Sequence, residues 1–279
     1  MNTSAEQKPL VSAILTTHNR ENLLPRALDS VLEQTYDNLE VVVVDDGSTD
    51  NTPTIMQEYK QRYDITYMRL EKSVGACRAR NRGIQHARGT FIAGLDDDDT
   101  WHKQRINMLM NAYTDDYACV CSDIDMVFPR GKAVWKKQKV VDLETLLYTN
   151  QVGNQVLVKR DRLLKVGGFD PELEAAQDYD LWIRLCDAYG PIRNVQQPLQ
   201  TIFMDREEGR ITSRSAGKGY LQFYNKHKKR LSRAQRKYQL FNIRRAQQKP
   251  LSLTEFIFWV PGFRYWDEFK KIISGKWWH

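Results

Sequence analysis

Four consecutive carboxylates, Asp96 to Asp99, follow the apolar run "TFIAGL". Like charges packed this closely repel one another, so the cluster calls for a positive partner. Hard divalent cations such as Mg2+ and Mn2+ take carboxylate oxygens, keep several waters and bridge to phosphates. Such a metal would relieve the repulsion and steady a departing diphosphate. The competing reading is a helix start, because acids favour helix N-termini and "TWHKQRINML" follows. A second acidic pair, Asp45–Asp46, ends the run "LEVVVV". Alone, "DDGSTD" is ordinary turn chemistry. Beside the first cluster it is a candidate wall of a nucleotide site, where a carboxylate accepts from a base imide or a ribose hydroxyl. Arg78, Arg80 and Arg82 in "GACRARNRG" are candidates to meet phosphates or to form a solvated helix face. Asp178, in "AAQDYDLWIRL", falls in the first turn of a helix whose buried face would hold Leu181, Trp182 and Leu185. It is either an N-terminal aspartate satisfying backbone donors or a general base. Spacing alone does not separate the two.

The elements that must carry these groups alternate between strand and helix. "LVSAILTT" and "ITYMRL" are short runs rich in β-formers, and "LEVVVVDD" has four valines in a row. A strand of that kind needs both faces covered, which suits the interior of a parallel sheet between helices. "ENLLPRALDSVLEQTY" places Leu24, Leu28, Val31 and Leu32 on one helical face. "TPTIMQEYKQRY" offers Thr52 as an N-cap and Pro53 at the first helical position. "SVGACRARNRGIQHARG" reads as a basic helix closed by Gly89. The alternation predicts a right-handed, doubly wound α/β sheet, in which ligands sit beyond the carboxyl ends of the strands. If both acid-bearing strands are central and parallel, their carboxylates face one cleft. Beyond about residue 114 the pattern loosens. "YACVCSDIDMVF" predicts a strand and "GKAVWKKQKVV" a hairpin or loop. Then come a strand, a short helix, a Gly-Gly turn, and a helix from about Asp178. Residues from about Ala216 to Lys249 read as basic and helical, and Ser252 to Glu255 form a capping-box pattern.

The chain has 279 residues, 41% hydrophobic and 28% charged, with a net charge of +7. From Arg214 onward there are 16 Lys/Arg against 3 Asp/Glu, so the tail carries +13 and the front −6. No stretch approaches the ~18 uninterrupted apolar residues of a membrane span. "MNTSAEQKPLVS" lacks the pattern of a signal peptide. Cys77, Cys119, Cys121 and Cys186 lack zinc-type spacing and are expected to be reduced, buried thiols. The basic run "NKHKKRLSRAQRKYQLFNIRR" suggests nucleic acid as an alternative partner. No stacking or groove-reading motif accompanies it, so no nucleic acid is expected.

Three stretches together resemble family 2 glycosyltransferases with the GT-A fold. They are "VSAILTTHNRENLLPRALDSVLEQTYDNLEVVVVDDGSTDNT", "GACRARNRGIQHARGTFIAGLDDDDTW" and "VGGFDPELEAAQDYDLWIRL", in family order across about Pro9 to Leu185. The resemblance implies an α/β, Rossmann-like, mostly parallel sheet over residues 1–215, with a helical, basic and aromatic extension over 216–279. It implies a UDP-sugar donor and Mn2+ or Mg2+. Thr16 and Asp46 correspond to uracil-contacting positions, with Asn19 and Asp45 beside them on the nucleotide-sugar side. Arg80 sits where the family's helix faces the donor. Asp96, Asp97 and Asp98 fall on the DXD-type motif, with Asp98 the metal ligand and Asp96 and Asp97 toward sugar and ribose. Asp178 holds the base position, with Gln177 in place of the usual Glu, and Trp182 would lie below the acceptor. No Gln-x-x-Arg-Trp motif of processive synthases is present, which implies a single addition. The family also suggests an acceptor carried on polyprenyl diphosphate in bacterial surface-polysaccharide synthesis. In the tail, Trp266, Phe269 and Ile273 share a helical face near Lys270, Lys271, Lys276, Trp277 and Trp278. Aromatics and lysines so arranged suit an anionic bilayer surface, here the cytoplasmic face of an inner membrane. Packing of these aromatics on the protein's own core is the alternative.

Overall fold

A computed structural model describes residues 8–204, 211–247, 249 and 252–264. Its centre is a ten-stranded sheet. Strands β1 (Val11–Thr17), β2 (Leu39–Asp45), β3 (Ile65–Arg69) and β4 (Phe91–Asp96) run parallel in the order β3-β2-β1-β4. Between them lie α1 (Leu24–Leu32), α2 (Thr52–Arg62) and α3 (Ala76–His86). The valines of β2 explain its place. Val41 and Val43 join one core layer with Leu24, Leu28 and Val31 of α1, and Val42 and Val44 join the opposite layer with Ala79 and Ile84 of α3. Period-two alternation thus buries both faces, each fully buried aliphatic contributing about 1.5–3 kcal/mol.

The register aligns the strand ends. Thr16 of β1 stands opposite Val44 on one side and Asp96 on the other, and Thr17 stands opposite Asp45. Both acidic groups therefore emerge at one edge of the sheet, on either side of β1. Beyond β4 come β5 (Thr100–Trp101), α4 (Arg105–Ala112), β6 (Val120–Phe128), β7 (Gly131–Trp135), β8 (Val140–Val141) and α5 (Leu143–Tyr148). They are followed by β9 (Leu157–Lys159), α6 (Arg160–Lys165), α7 (Gln177–Tyr189) and β10 (Ile192–Phe203). β6 and β7 form a hairpin whose second strand opens the segment read as a hairpin or loop, and β9 is wedged antiparallel between β4 and β6. The four cysteines are buried and unbridged.

Two helix ends differ from expectation. α2 begins at Thr52 itself, so Asn51 is the N-cap, and the Thr52 amide donates to Asp50 Oδ1 at 3.0 Å. α3 stops at His86, three residues short of Gly89. There the chain turns so that the amides of Arg88 and Gly89 reach the Glu40 carboxylate, at 2.6 and 3.0 Å. Gly89 is required for close packing, since a Cβ there would meet the Ser12 hydroxyl and amide.

The expected boundary at 215/216 falls inside α8 (Ile211–His227). Phe223 of α8 is fully buried in the main core and stacks on Tyr179 of α7, with ring centroids 4.3 Å apart. α9 (Arg233–Ala246) packs on α5, its Gln239 amide donating to the carbonyls of Leu147 and Tyr148 at 3.0 Å. α10 (Leu253–Trp259) opens with the capping box read from Ser252 and Glu255. Its Phe256, with Val260, closes a small core against Tyr238 and Phe241 of α9. This part of the tail packs on the protein, while Trp266, Phe269 to Lys271, Ile273 and Lys276 to Trp278 lie outside the described residues.

Candidate active site

Two adjoining cavities open at the carboxyl edge of the sheet and share Arg80, Asp96, Asp98 and Gln177. The first is walled by Thr16, Arg20, Asp46, Ser73, Gly75 and Asp97. Asp46 organises it. One carboxylate oxygen accepts from the Val74 amide at 2.7 Å, and the other from the Ser73 hydroxyl at 2.7 Å and the Gly75 amide at 2.9 Å. This holds the loop leading into α3, where Gly75 takes a φ of +89° that favours glycine. Asp45 turns the other way, as alternation along β2 requires. It is fully buried, accepting from the Ser48 amide at 2.8 Å and the Tyr67 hydroxyl at 2.7 Å, with Arg69 at 3.8 Å. Its expected place on the nucleotide side is thus corrected to one beneath the turn. Asn19 likewise serves the loops. Its side-chain oxygen accepts from the Thr49 amide at 2.7 Å, tying the chain after β1 to the chain after β2.

The acidic tetrad does not start a helix. The next helix, α4, begins at Arg105 and has no acid in its first turn. Instead the four carboxylates have separate surroundings. Asp96 accepts from Arg80 Nη2 at 2.7 Å and from Asn154 Nδ2 at 2.8 Å. Burial pushes the Asp97 carboxyl up to about 7 against a pull from the Thr17 hydroxyl, and Asp98 and Asp96 add to the rise. Asp98 lines both cavities, and its backbone carbonyl accepts from Arg26 at 2.8 Å. Asp99 is buried, and one oxygen accepts from the side-chain amides of Asn154, Gln155 and Gln200 at 3.0–3.2 Å. Burial and the neighbouring Asp96 and Asp98 hold its proton well above the usual carboxylate range.

Among the described residues no group of three or more His, Cys, Asp or Glu side chains forms a ready cage for a metal. Asp98 with Asp96 fits a site of another kind. There one or two carboxylates hold Mg2+ or Mn2+ while waters and substrate phosphates complete the shell.

The second cavity holds Asp178, in the first turn of α7. Burial lifts its carboxyl to about 6, against the Tyr179 amide and the Arg80 charge, with Asp96 adding to the rise. Asn150 Nδ2 donates to it at 3.1 Å. A carboxylate poised there, in a cavity bordered by the acidic turn, is suited to take a proton from a hydroxyl. Asp180, two residues on, has another role. It is fully buried among Arg184, Lys226 and His227, at 2.7, 2.8 and 2.8 Å. Despite that burial, these partners hold its carboxyl well below the usual range. Trp182 is only 3% exposed, and its indole N–H donates to the Gly153 carbonyl at 2.7 Å. It borders a smaller cavity that shares Arg80, Asp96 and Asn154 with the second one.

Residues that the sequence did not single out complete the site: Asn150, Asn154, Gln155 and Gln200. They come from the loop before β9 and from β10. Neutral amides with no periodic spacing carry no sequence signal.

The sequence family described as "Glycosyl transferase family 2" matches residues 12–170. The "Putative colanic acid biosynthesis glycosyl transferase WcaA" of Escherichia coli (strain K12) is 36% identical over 262 residues, covering 88% of this chain and 91% of that protein. Among solved structures, S. aureus TarS 1-349 in complex with UDP-GlcNAc superposes with a TM-score of 0.62 at 21% identity. The alignment covers 85% of this chain and 72% of TarS 1-349. The mannosyltransferase PcManGT from Pyrobaculum calidifontis, in complex with GDP-Man and Mn2+, also gives 0.62, at 20% identity over 80% of this chain and 65% of that one. These two likenesses show the fold.

Proposed function

Because the chain belongs to glycosyl transferase family 2, we propose that it is an inverting transferase. On this reading it moves one hexose, such as galactose, glucose or an N-acetylated relative, from a UDP-sugar to a saccharide carried on polyprenyl diphosphate, in the synthesis of a bacterial surface polysaccharide. The observation that carries the reading is the placement of Asp178. Its carboxyl, raised to about 6, lines the same cavity as Asp96 and Asp98.

The acceptor hydroxyl gives its proton to the Asp178 carboxylate. Its oxygen forms the new bond to the anomeric carbon as the bond to UDP breaks, and the electron pair leaves with the diphosphate. Attack opposite UDP converts an α-linked donor into a β-linked product. Asn150 orients the base, and Arg80, paired with Asp96, sets the charge between the two cavities. Thr16 and Asp46 wall the nucleotide side. Mn2+ or Mg2+ held at Asp98, with Asp96 beside it, would supply positive charge for the departing diphosphate.

Association with the cytoplasmic face of a membrane is part of the same proposal. Ile257 and Phe258 of α10 are 54% and 61% exposed, and Lys237 of α9 lies 3.5 Å from the Phe258 ring centroid. Apolar side chains flanked by cations suit an anionic lipid surface. Among the described residues no helix is long and apolar enough to cross a membrane.

The test is a screen of UDP-, GDP- and dTDP-hexoses for metal-dependent release of the nucleoside diphosphate, with the Asp98→Ala variant as control. GDP-sugars belong in the screen because PcManGT was solved with GDP-Man. Release from a UDP-hexose by wild type alone supports the reading. Turnover of GDP- or dTDP-sugars only would replace the donor, and no turnover of any would overturn the proposal.

A further inference from the structure

The wall of the second cavity contains an indole that the chemistry above does not use. Trp135, the last residue of β7, is half-buried and lines that cavity together with Asp178, Asn150, Ile202 and Tyr220. β7 hydrogen-bonds to the rest of the sheet through β6, with Trp135 opposite Ile124. A partly exposed tryptophan inside a polar, carboxylate-lined cleft leaves a flat apolar face toward water. That surface is costly unless a ligand covers it.

The ring is also held from behind. The Lys137 ammonium lies 5.1 Å from its centroid, a cation–π distance. Lys137 is itself buried, donating to the carbonyls of Ser122 and Val152 at 2.5 and 2.6 Å. Val152 belongs to the loop that positions the base. Its amide donates to Asn150 Oδ1 at 2.9 Å, and the other end of the Asn150 amide donates to Asp178. Gly153, next in this loop, has a φ of +89°, and a Cβ there would crowd Lys137 Nζ at 3.0 Å. One short chain of contacts therefore links the indole to the carboxylate: Trp135, Lys137, Val152, Asn150, Asp178.

Resting on the transferase reading above, we infer that Trp135 is the platform on which the sugar ring of the acceptor stacks. The apolar C–H face of a pyranose covers the indole, and the hydroxyl to be glycosylated points to Asp178. The contact chain keeps platform and base in fixed register. Trp182, 3% exposed, does not line the cavity that holds Asp178.

The experiment uses the full chain with diamagnetic Mg2+ and UDP, and methyl β-D-glucoside, methyl β-D-galactoside and methyl N-acetyl-β-D-glucosaminide as probes at millimolar concentration. Saturation-transfer NMR reads hexoside binding, and calorimetry reads UDP. The expected result is transfer to at least one hexoside from wild type. In Trp135→Ala that affinity falls about 2–13-fold, the loss of one aromatic contact. Trp135→Phe recovers most of it, and both variants keep the wild-type affinity for UDP. No hexoside binding by wild type, or binding unchanged in Trp135→Ala, would overturn the inference. Weakened UDP binding in Trp135→Phe as well as in Trp135→Ala would also overturn it, assigning the indole to general support of the site. UDP binding without hexoside binding sinks the platform alone. Hexoside binding without UDP binding sinks the UDP-donor reading and leaves the platform standing.

Discussion

Replacing Asp178 by Asn removes a charge and leaves the shape, and the structure sets opposite expectations for activity and stability. With its carboxyl at about 6, Asp178 is about 97% ionised at pH 7.5 and about one-tenth ionised at pH 5. A wild-type rate that depends on the ionised base therefore falls about tenfold between those pH values, with kcat/KM bending near 6. Asp178→Asn loses about 10²–10⁴-fold in transfer at every pH and has no such bend. Stability moves the other way. The folded carboxyl lies above its ordinary value of 3.8, so the folded state favours the proton. Wild type thus loses stability as pH rises from about 4 through about 6, by about 1.4 kcal/mol per unit of separation. Solvent screening and the lost helix-end charge reduce the net gain from asparagine to about 1–2 kcal/mol at pH 7. Below pH 4, where aspartate is protonated in both states, the gain vanishes. Thermal melts of the two proteins at pH 4 and pH 7, with nucleotide-release rates across the range, check both halves. A variant that transfers within a few-fold of wild type and melts lower at pH 7 would show that Asp178 only caps α7.

Asp98→Ala should stay folded by circular dichroism and lose most turnover, and excess EDTA should silence wild type; full turnover by metal-stripped enzyme would rule out the metal. Asp180→Asn removes the carboxylate that Arg184, Lys226 and His227 share; because Lys226 keeps Asp170 and Arg184 keeps the carbonyls of Val166 and Gly168, it should lower stability by about 2–3 kcal/mol in urea titrations, below the cost of a fully unpaired buried charge. Its depressed carboxyl also means that wild-type stability is present above about 4 and is lost as acid protonates it. A truncation before Ser252 should sediment with anionic vesicles less than the full chain at low salt, with the difference fading at high salt; equal sedimentation, or none by either form, would leave the tail as packing.

Much of this arrangement is legible in the chain because it follows from strand periodicity. The valines of β2 demand burial on both faces, and acids placed just after two parallel strands must meet at one edge. The same periodicity implies that Asp45 and Asp46 point to opposite sides, yet it does not say which one the cleft receives. That depended on Tyr67 and Arg69 arriving from β3 to satisfy Asp45. Gly89 resembled a helix stop because the close packing against Ser12 that requires it is a contact between distant residues. Trp182 and Trp135 look alike as letters. Only the fold places the first beneath Gly153 and the second beside open space. Asn154 meets Asp96 across 58 positions and Gln200 meets Asp99 across 101, distances over which local pattern carries no information.

The ion cluster around Asp180 limits how this enzyme can be recombined with its relatives. Lys226 and His227 stand at the end of α8, well beyond the family match that stops at residue 170. A chimera spliced near 215 would join the carboxylate of one parent to whatever the other parent carries in α8. Unless that helix supplies a cation at the first position, a hydrogen-bonding ring at the second and a ring to fill the place of Phe223, the hybrid leaves the buried carboxylate with Arg184 alone, beside a void. Crossovers placed in the 228–232 turn, after α8, keep the cluster and its ring intact. If Trp135 carries the acceptor as proposed, exchange of acceptor preference between relatives is better attempted through the β6–β7 hairpin, leaving the helical end of the chain with its native partner.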